Sequence, residues 1–394
     1  MIYFDHNATT PIGPAARARL LELPELAFGN PSSLHPAGVA AREVVDRGRA
    51  ELAAVLGARS AEIVFTGGGT EADVTAVWTM VWEGRARREC ARIAFLTVEH
   101  PAVRAAIAQA QSLGLAQGVP VAVTAEGQVD LDSLDAAMKG PLDGLCLMHA
   151  NNETGVVMDL DAVAQRVREH GVYWHCDSVQ AAGKVPVRVL EGGLGAARTV
   201  ALAGHKLGAP KGIGALYVRR GTSVTPLLPG GKQEGGRRSG THAVRAIAAF
   251  GAAAKAACGG FVDGESAGDH ARDLGLIGTL RDELETALLE FRGSVVHGSG
   301  QPRLPNTLSI ALRTPGGQWA DAEALMLALA RQGIAVSTGA ACAQGSRTPS
   351  AVLTAMGVSA VQAAATLRLS LGDGNHTGDL DEVVRALHTL LNDG

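Results

Sequence analysis

From about residue 40 to residue 260, short apolar runs alternate with longer segments of helical period. No other feature constrains the fold as strongly. The candidate strands are Glu62–Phe65, Ile93–Val98, Pro120–Thr124, Gly144–His149, Val172–Cys176, Thr199–Ala203 and Gly214–Val218. Many are continuous apolar runs rather than alternating ones, the pattern of strands covered on both faces of a mostly parallel sheet. Between them lie helical segments at Glu71–Glu83, Pro101–Gly114, Asp132–Met138 and Asp161–His170. This order predicts an α/β fold. After residue 260 the pattern changes. A long helical stretch, Ala267–Phe291, precedes Asn306–Leu312, a helix around Ala320–Gln332, then Ala335–Ser337, Leu367–Ser370 and a last helix, Asp379–Leu391. These read as a smaller α+β layer, with Gly259-Gly260 and Asp263-Gly264 marking the boundary.

Composition narrows the partners. A formal net charge of −4 argues against broad electrostatic binding to nucleic acid or anionic lipid. The Ala-rich stretch from Val244 to Phe261 is interrupted by Arg245 and Lys255, so no membrane crossing is expected. The N-terminus has neither a basic region nor an export core, which predicts a cytoplasmic protein. The five cysteines include no C-x-x-C pair, and His175 and Cys176 should face opposite sides of a strand. Neither a disulfide framework nor a metal site is expected.

In an open α/β sheet, ligands sit at the carboxyl ends of the strands. After Phe65 comes Thr66-Gly67-Gly68-Gly69-Thr70-Glu71, a glycine-rich turn opening a helix; it suits either a structural turn or an anion such as phosphate. After Val98 comes Glu99-His100-Pro101, where His100 is either a helix cap or a functional group. An amide-rich cluster, Asn151-Asn152-Glu153-Thr154-Gly155, follows His149. Asp177 follows Cys176, where a carboxylate needs a helix N-terminus or a cationic partner. Lys206 follows the apolar run Val200–Ala203 and Gly204-His205, and leads into a glycine-rich turn. Desolvation lowers a lysine's pKa and makes it a competent Schiff-base nucleophile. Phosphate donors, an acid for a ring nitrogen, a histidine and a lysine at successive strand ends together point to pyridoxal 5'-phosphate.

Two further residues complete the set. Cys342 sits among small residues, Ser337-Thr338-Gly339-Ala340-Ala341-Cys342-Ala343-Gln344-Gly345-Ser346, unlike a buried structural cysteine, and is a candidate nucleophile. Arg368 lies inside an apolar strand, where its fork suits a carboxylate, whether a structural partner or a substrate.

With these motifs in order, the chain resembles the cysteine desulfurases of the nitrogen-fixation and iron–sulfur-assembly type. These belong to the class V aminotransferases of pyridoxal-phosphate fold type I. The resemblance runs nearly end to end, from Tyr3-Phe4-Asp5-His6-Asn7-Ala8-Thr9-Thr10-Pro11 and Gly29–His35 through the strand ends above, Gly230–Thr241, the Cys342 segment and Arg368. It implies a large cofactor domain over 16–259 with a seven-stranded, mostly parallel sheet, and a small α+β domain from 1–15 and 260–394. Lys206 would hold the cofactor, His100 would stack on its ring, Asp177 would pair with the ring nitrogen, and Gln180 would bond the phenolic oxygen. Gly69, Thr70 and His205 would bind the phosphate. Thr241 would reach the phosphate of a neighbouring subunit, implying a homodimer. Arg368 and Asn152 would hold the substrate carboxylate, Asn152 beside the cofactor as well. The implied reaction converts L-cysteine to L-alanine. Lys206 removes the Cα proton, and the Cys342 thiolate takes the sulfur as a persulfide and passes it to an acceptor protein.

Three departures stand out. Where the family usually has a serine three residues before the lysine, this chain has Ala203. One phosphate hydrogen bond is thereby lost, worth about 1–3 kcal/mol. The chain stops shortly after its last helix, without the longer tail of housekeeping members, and Ala343-Gln344 replace the small hydroxyl residues common after the cysteine. The loop's length matches the long-loop subgroup. A selenocysteine lyase, a C–S β-lyase and a non-catalytic partner-binding member are the alternative readings; Cys342 favours the desulfurase.

Overall fold

The structure is a computed structural model describing residues 1–261, 267–338 and 349–392. Its strands are β1 (Ile2–Tyr3), β2 (Ile63–Thr66), β3 (Ala91–Leu96), β4 (Ala116–Val121), β5 (Gly144–Cys146) and β6 (Trp174–Asp177). They continue with β7 (Thr199–Ala203), β8 (Gly214–Val218), β9 (Val295–Val296), β10 (Thr307–Ala311), β11 (Ile334–Ala335) and β12 (Thr366–Ser370). Seven of them form one sheet in the order β2-β8-β7-β6-β5-β3-β4. Only β8 runs against its neighbours, so the sheet is mostly parallel. Strands β2, β5, β6, β7 and β8 are buried at every position, which is why they read as unbroken apolar runs.

Several strands depart from expectation: β3 starts two residues before Ile93–Val98, β5 stops at Cys146 rather than His149, and the short β1 and β9 were not expected. The largest shift is at β4. Pro120–Thr124 was the expected span, but β4 covers Ala116–Val121, paired in parallel register with β3 from Ala91↔Ala116 to Leu96↔Val121. β4 is the edge of the sheet, where Pro120, which has no N–H, can sit without breaking a ladder on its outer side. Its polar and exposed positions, such as Gln117, hid the strand's start from a search for apolar runs. The expected helices appear with end shifts of a few residues, at Gly69–Arg85, Pro101–Ser112, Leu131–Met138 and Leu160–His170. Asp130 and Asp159 cap the last two, accepting from the backbone N–H three residues on.

Val244–Phe261 is long and apolar enough to cross a membrane by length and composition. Here its Ile247, Ala248, Ala249 and Phe250 are buried in the protein, and Gly48 on the helix Pro36–Leu56 gives it a close approach.

Beyond residue 260, β12, β10 and β9 form an antiparallel sheet covered by the helices Ala267–Leu289, Ala322–Arg331 and Thr377–Asn392. Its apolar cluster includes Leu308, Ile310, Leu367, Leu369 and Leu387, and also Phe4 from the N-terminus. Burying one such side chain contributes about 1.5–3 kcal/mol. β1 pairs with β11, and Asp5 bridges to Ser370, so the first residues run along this second layer. The chain then crosses to the large sheet. At the crossing a Cβ on Gly372 would fall 2.1 Å from the His6 ring, so no side chain fits there.

Candidate active site

Five strand ends converge on one edge of the large sheet. β2 runs into the glycine turn, and Gly69 starts the helix Gly69–Arg85. A Cβ on Gly69 would lie 2.8 Å from a Val179 methyl and 3.4 Å from the Ala203 Cβ, which seats the turn between the ends of β6 and β7. A Cβ on Gly214 would meet the Gly68 backbone at 2.5 Å, so β8 must begin on glycine to pass behind the turn. The first-turn N–H groups and exposed Thr70 are thus presented at the strand ends, as an anion requires.

Asp177 ends β6 and is buried. Its Oδ1 accepts from the Val179 backbone N–H at 2.9 Å, and it has no salt-bridge partner among the described residues. Burial raises its pKa, opposed by His100, the Val179 N–H and Lys206. His100 caps Pro101–Ser112, its Nδ1 accepting from the Ala102 N–H at 3.2 Å, so the helix-cap reading of this histidine holds. In its neutral form the remaining proton is therefore on Nε2. Burial lowers its pKa, against the pull of Asp177.

Lys206 donates from Nζ to the backbone oxygens of Asn7 and Ala8, the latter at 2.8 Å. Burial, and then Arg368, bring its pKa down to about 8, with Asp177 and Asp5 opposing. Gln180 is buried and donates from Nε2 to the same Asn7 oxygen at 2.9 Å. His205 stands 3.1 Å from the Thr9 hydroxyl through Nδ1, and burial with Lys206 and Lys211 lowers its pKa to about 4. Beside Lys206 a cavity of about 480 Å³ opens, lined also by His6, Thr10, Lys184 and Asn306.

From the other side comes β12. Arg368 donates to Asp5 Oδ1 at 2.8 Å and to the Asn152 backbone oxygen at 3.1 Å, while its buried Nε has no partner. The Asn152 side chain makes no hydrogen bond among the described residues. Cys342 lies outside the described residues. The residues flanking its segment are anchored at this site: Ser337 bridges to Arg368, and the Ser350 hydroxyl donates to Glu153 at 2.5 Å.

Thr241 lies apart from this cluster. It is exposed, and its side chain has no hydrogen-bond partner among the described residues. Its neighbour Arg238 pairs with Glu71 at 2.8 Å, and Glu71 also accepts from the Gly67 N–H, so Thr241 sits at the outer flank of the glycine turn.

Comparison with known proteins follows this geometry. The family model for aminotransferase class-V matches residues 2–383. The chain belongs to the class V aminotransferases. The chain is 39% identical over 392 residues to a cysteine desulfurase of Gluconacetobacter diazotrophicus, covering 99% of this chain and 93% of the relative. It is 36% identical over 392 residues to cysteine desulfurase NifS of Azotobacter vinelandii, covering 99% and 92%. The solved structure of a NifS-like protein from Rickettsia africae superposes with a TM-score of 0.84 at 27% identity, covering 99% of each chain. These likenesses agree with the fold type I architecture expected of a class V aminotransferase.

Sequence reasoning did not assign roles to Asp5, Asn7 or Lys184. Asn7 is the hub: its backbone oxygen takes Lys206 and Gln180, and its side chain engages Thr307 and Asn306 at 2.9 and 3.1 Å. Lys184 reaches the Gln180 side chain around a turn through Gly183, whose φ is 77°, and no helical or strand periodicity signals that contact.

Proposed function

We propose that the protein is a pyridoxal 5'-phosphate-dependent cysteine desulfurase, converting L-cysteine to L-alanine and carrying the sulfur on Cys342. The observation that carries this reading is the convergence of Lys206, Asp177 and His100, with Asp177 buried and lacking an ion-pair partner among the described residues. A buried carboxylate facing an amine of lowered pKa, beside a helix N-terminus, fits a cationic ring nitrogen on a phosphate-bearing ring.

Lys206 would hold the cofactor, with His100 over the ring, Asp177 keeping a proton at the ring nitrogen and Gln180 Nε2 donating to the phenolic oxygen. The N–H groups at Gly69 and Thr70, with His205, would take the phosphate; Asn152 lies beside it. Thr241, exposed and without a hydrogen-bond partner among the described residues, suits the phosphate of a second copy in a homodimer. Bound there, the cofactor supplies an electron sink for the pair left when the substrate Cα–H bond breaks. The Lys206 Nζ, uncharged at modest pH cost, accepts that proton. Arg368 and the Asn152 amide would hold the substrate carboxylate, with the unpartnered Arg368 Nε giving a donor for it.

The Cys342 thiolate attacks the substrate sulfur. An S–S bond forms, the substrate C–S bond breaks, and the pair left on carbon is protonated to give alanine. The persulfide sulfur then passes to an acceptor protein. The anchoring of both flanks of the Cys342 segment beside Arg368 and Asn152 supports this role. We place the cofactor-binding domain at 16–259 and the small domain at 1–15 and 260–394, a division supported by the two largest buried clusters. Val352, Leu353 and Met356 pack on the first of these, tying the far flank of the segment to the cofactor domain. The compartment proposed is the cytoplasm.

The test is alanine released from L-cysteine by the wild type and by Cys342→Ala. We expect a visible cofactor absorption band in both and turnover only in the wild type. Undiminished alanine from Cys342→Ala would point to a C–S or selenocysteine lyase. A colourless protein that takes up no cofactor would overturn the reading.

A further inference from the structure

Lys184 is the second half-buried amine at the site, and the reaction as proposed gives it no task. Its Nζ donates to the Gln180 side-chain oxygen Oε1 at 2.9 Å, to the Gln180 backbone oxygen at 3.1 Å and to Asn7 Oδ1 at 3.4 Å. All three partners are acceptors, which matches an ammonium with three donors and no acceptor. The consequence for Gln180 is specific. A side-chain amide can flip, exchanging its oxygen for its NH₂. With an ammonium bonded to Oε1, the flipped amide would set NH₂ against NH₃⁺ and turn Oε1 toward the Asn7 carbonyl. Two hydrogen bonds would become two repulsions. The Nε2 end is thereby held toward Asn7 and the site.

We propose that Lys184 is a positioning residue that fixes the orientation of the Gln180 amide. The proposal rests on the cofactor reading for what Gln180 then contacts, since only a correctly turned amide can donate to a phenolic oxygen. Burial, with Lys206 and Arg368 nearby, brings the Lys184 pKa down to about 7. The ammonium therefore holds the amide most firmly below that pH, while the Asn7 carbonyl, an acceptor at any pH, opposes the flip in either charge state.

Two measurements test this on the full chain. The first is the neutron diffraction structure of cofactor-free Lys184→Met and Lys184→Arg, which reads the amide hydrogens and so the orientation of Gln180. We expect the amide to leave its wild-type position in the methionine variant and to keep it in the arginine variant, whose guanidinium still donates. A Gln180 unmoved in Lys184→Met overturns the proposal. The second is the rate of cofactor release for Lys184→Met, Gln180→Ala and the double variant. Loss of one charge-assisted hydrogen bond predicts release faster by about tenfold in Lys184→Met. If Lys184 acts through Gln180, the double variant releases cofactor no faster than Gln180→Ala alone; additive effects overturn the proposal. A wild type that binds no cofactor sinks the functional reading instead, while the orientation of Gln180 still judges Lys184.

Discussion

Two buried carboxylates in this molecule have opposite fates. Glu234 receives Arg49 through both oxygens at 2.7 and 2.6 Å, His242 at 2.7 Å and the Phe65 backbone N–H at 3.2 Å. Burial alone would raise its pKa, but the hydrogen bonds from Arg49 and His242 outweigh it and bring it down to about 2. Asp177 is as deeply buried, receives one backbone N–H, and has its pKa raised. The first is a strut, strong enough to hold Glu234 at a φ of 51°, the one positive φ among described non-glycine residues. The second is a carboxylate with no ion-pair partner among the described residues, favoured only by His100, the Val179 N–H and Lys206 nearby. An unfilled demand for positive charge at a strand end marks a ligand site more sharply than burial does.

Removing the strut should have the largest effect on stability. Glu234→Ala leaves Arg49 buried without its partner, and such breaks cost about 3–5 kcal/mol; the urea midpoint checks it. Its pH dependence has a definite sign. The folded pKa, about 2, is depressed below the usual 4.5, so this stabilisation is present above pH 4.5 and lost as pH falls toward 2. Glu234→Gln should therefore flatten the acid limb of the stability curve. An unchanged limb would show that the strut and the site do not differ as argued.

Asp177→Asn should act the other way. Because burial raises this group's pKa, its ionised form costs stability in the cofactor-free protein. The asparagine variant should be more stable at pH 7, read as a higher urea midpoint. Cofactor retention and alanine production should fall by at least about tenfold, the effect of losing one ionic partner. A variant that loses stability and keeps its cofactor would make Asp177 a strut as well.

The smallest effect is expected at Ala203, whose Cβ abuts the helix-opening Gly69. Ala203→Ser adds a hydroxyl there and should slow cofactor release about fivefold, the low end of the ~1–3 kcal/mol of one hydrogen bond to phosphate. The release half-times of the two proteins would show it.

The contrast also explains what could be read from the chain alone. Asp177, His100 and Lys206 stand directly after buried strands, so local patterning exposes them once the carboxyl ends are inspected together. The contacts of Asn7 could not be read that way. It lies 173 residues from Gln180, 199 from Lys206 and 299 from Asn306, and no periodicity records such pairings. Edge strand β4 was misplaced for a related reason: only Ala116 and Val121 are buried and Gln117 and Pro120 are exposed, so its bounds come from pairing with β3 rather than from its own composition. Arg368 was legible as a buried cation, but its partner Asp5, 363 residues away, was not.

The most direct test of the central claim asks which amine carries the cofactor. Protein loaded with pyridoxal 5'-phosphate is reduced with borohydride, digested and mapped by mass spectrometry. The account expects the cofactor on Lys206 alone and no labelled peptide from Lys206→Ala. Label on Lys184, or none on either lysine in a protein that still makes alanine from cysteine, would contradict it.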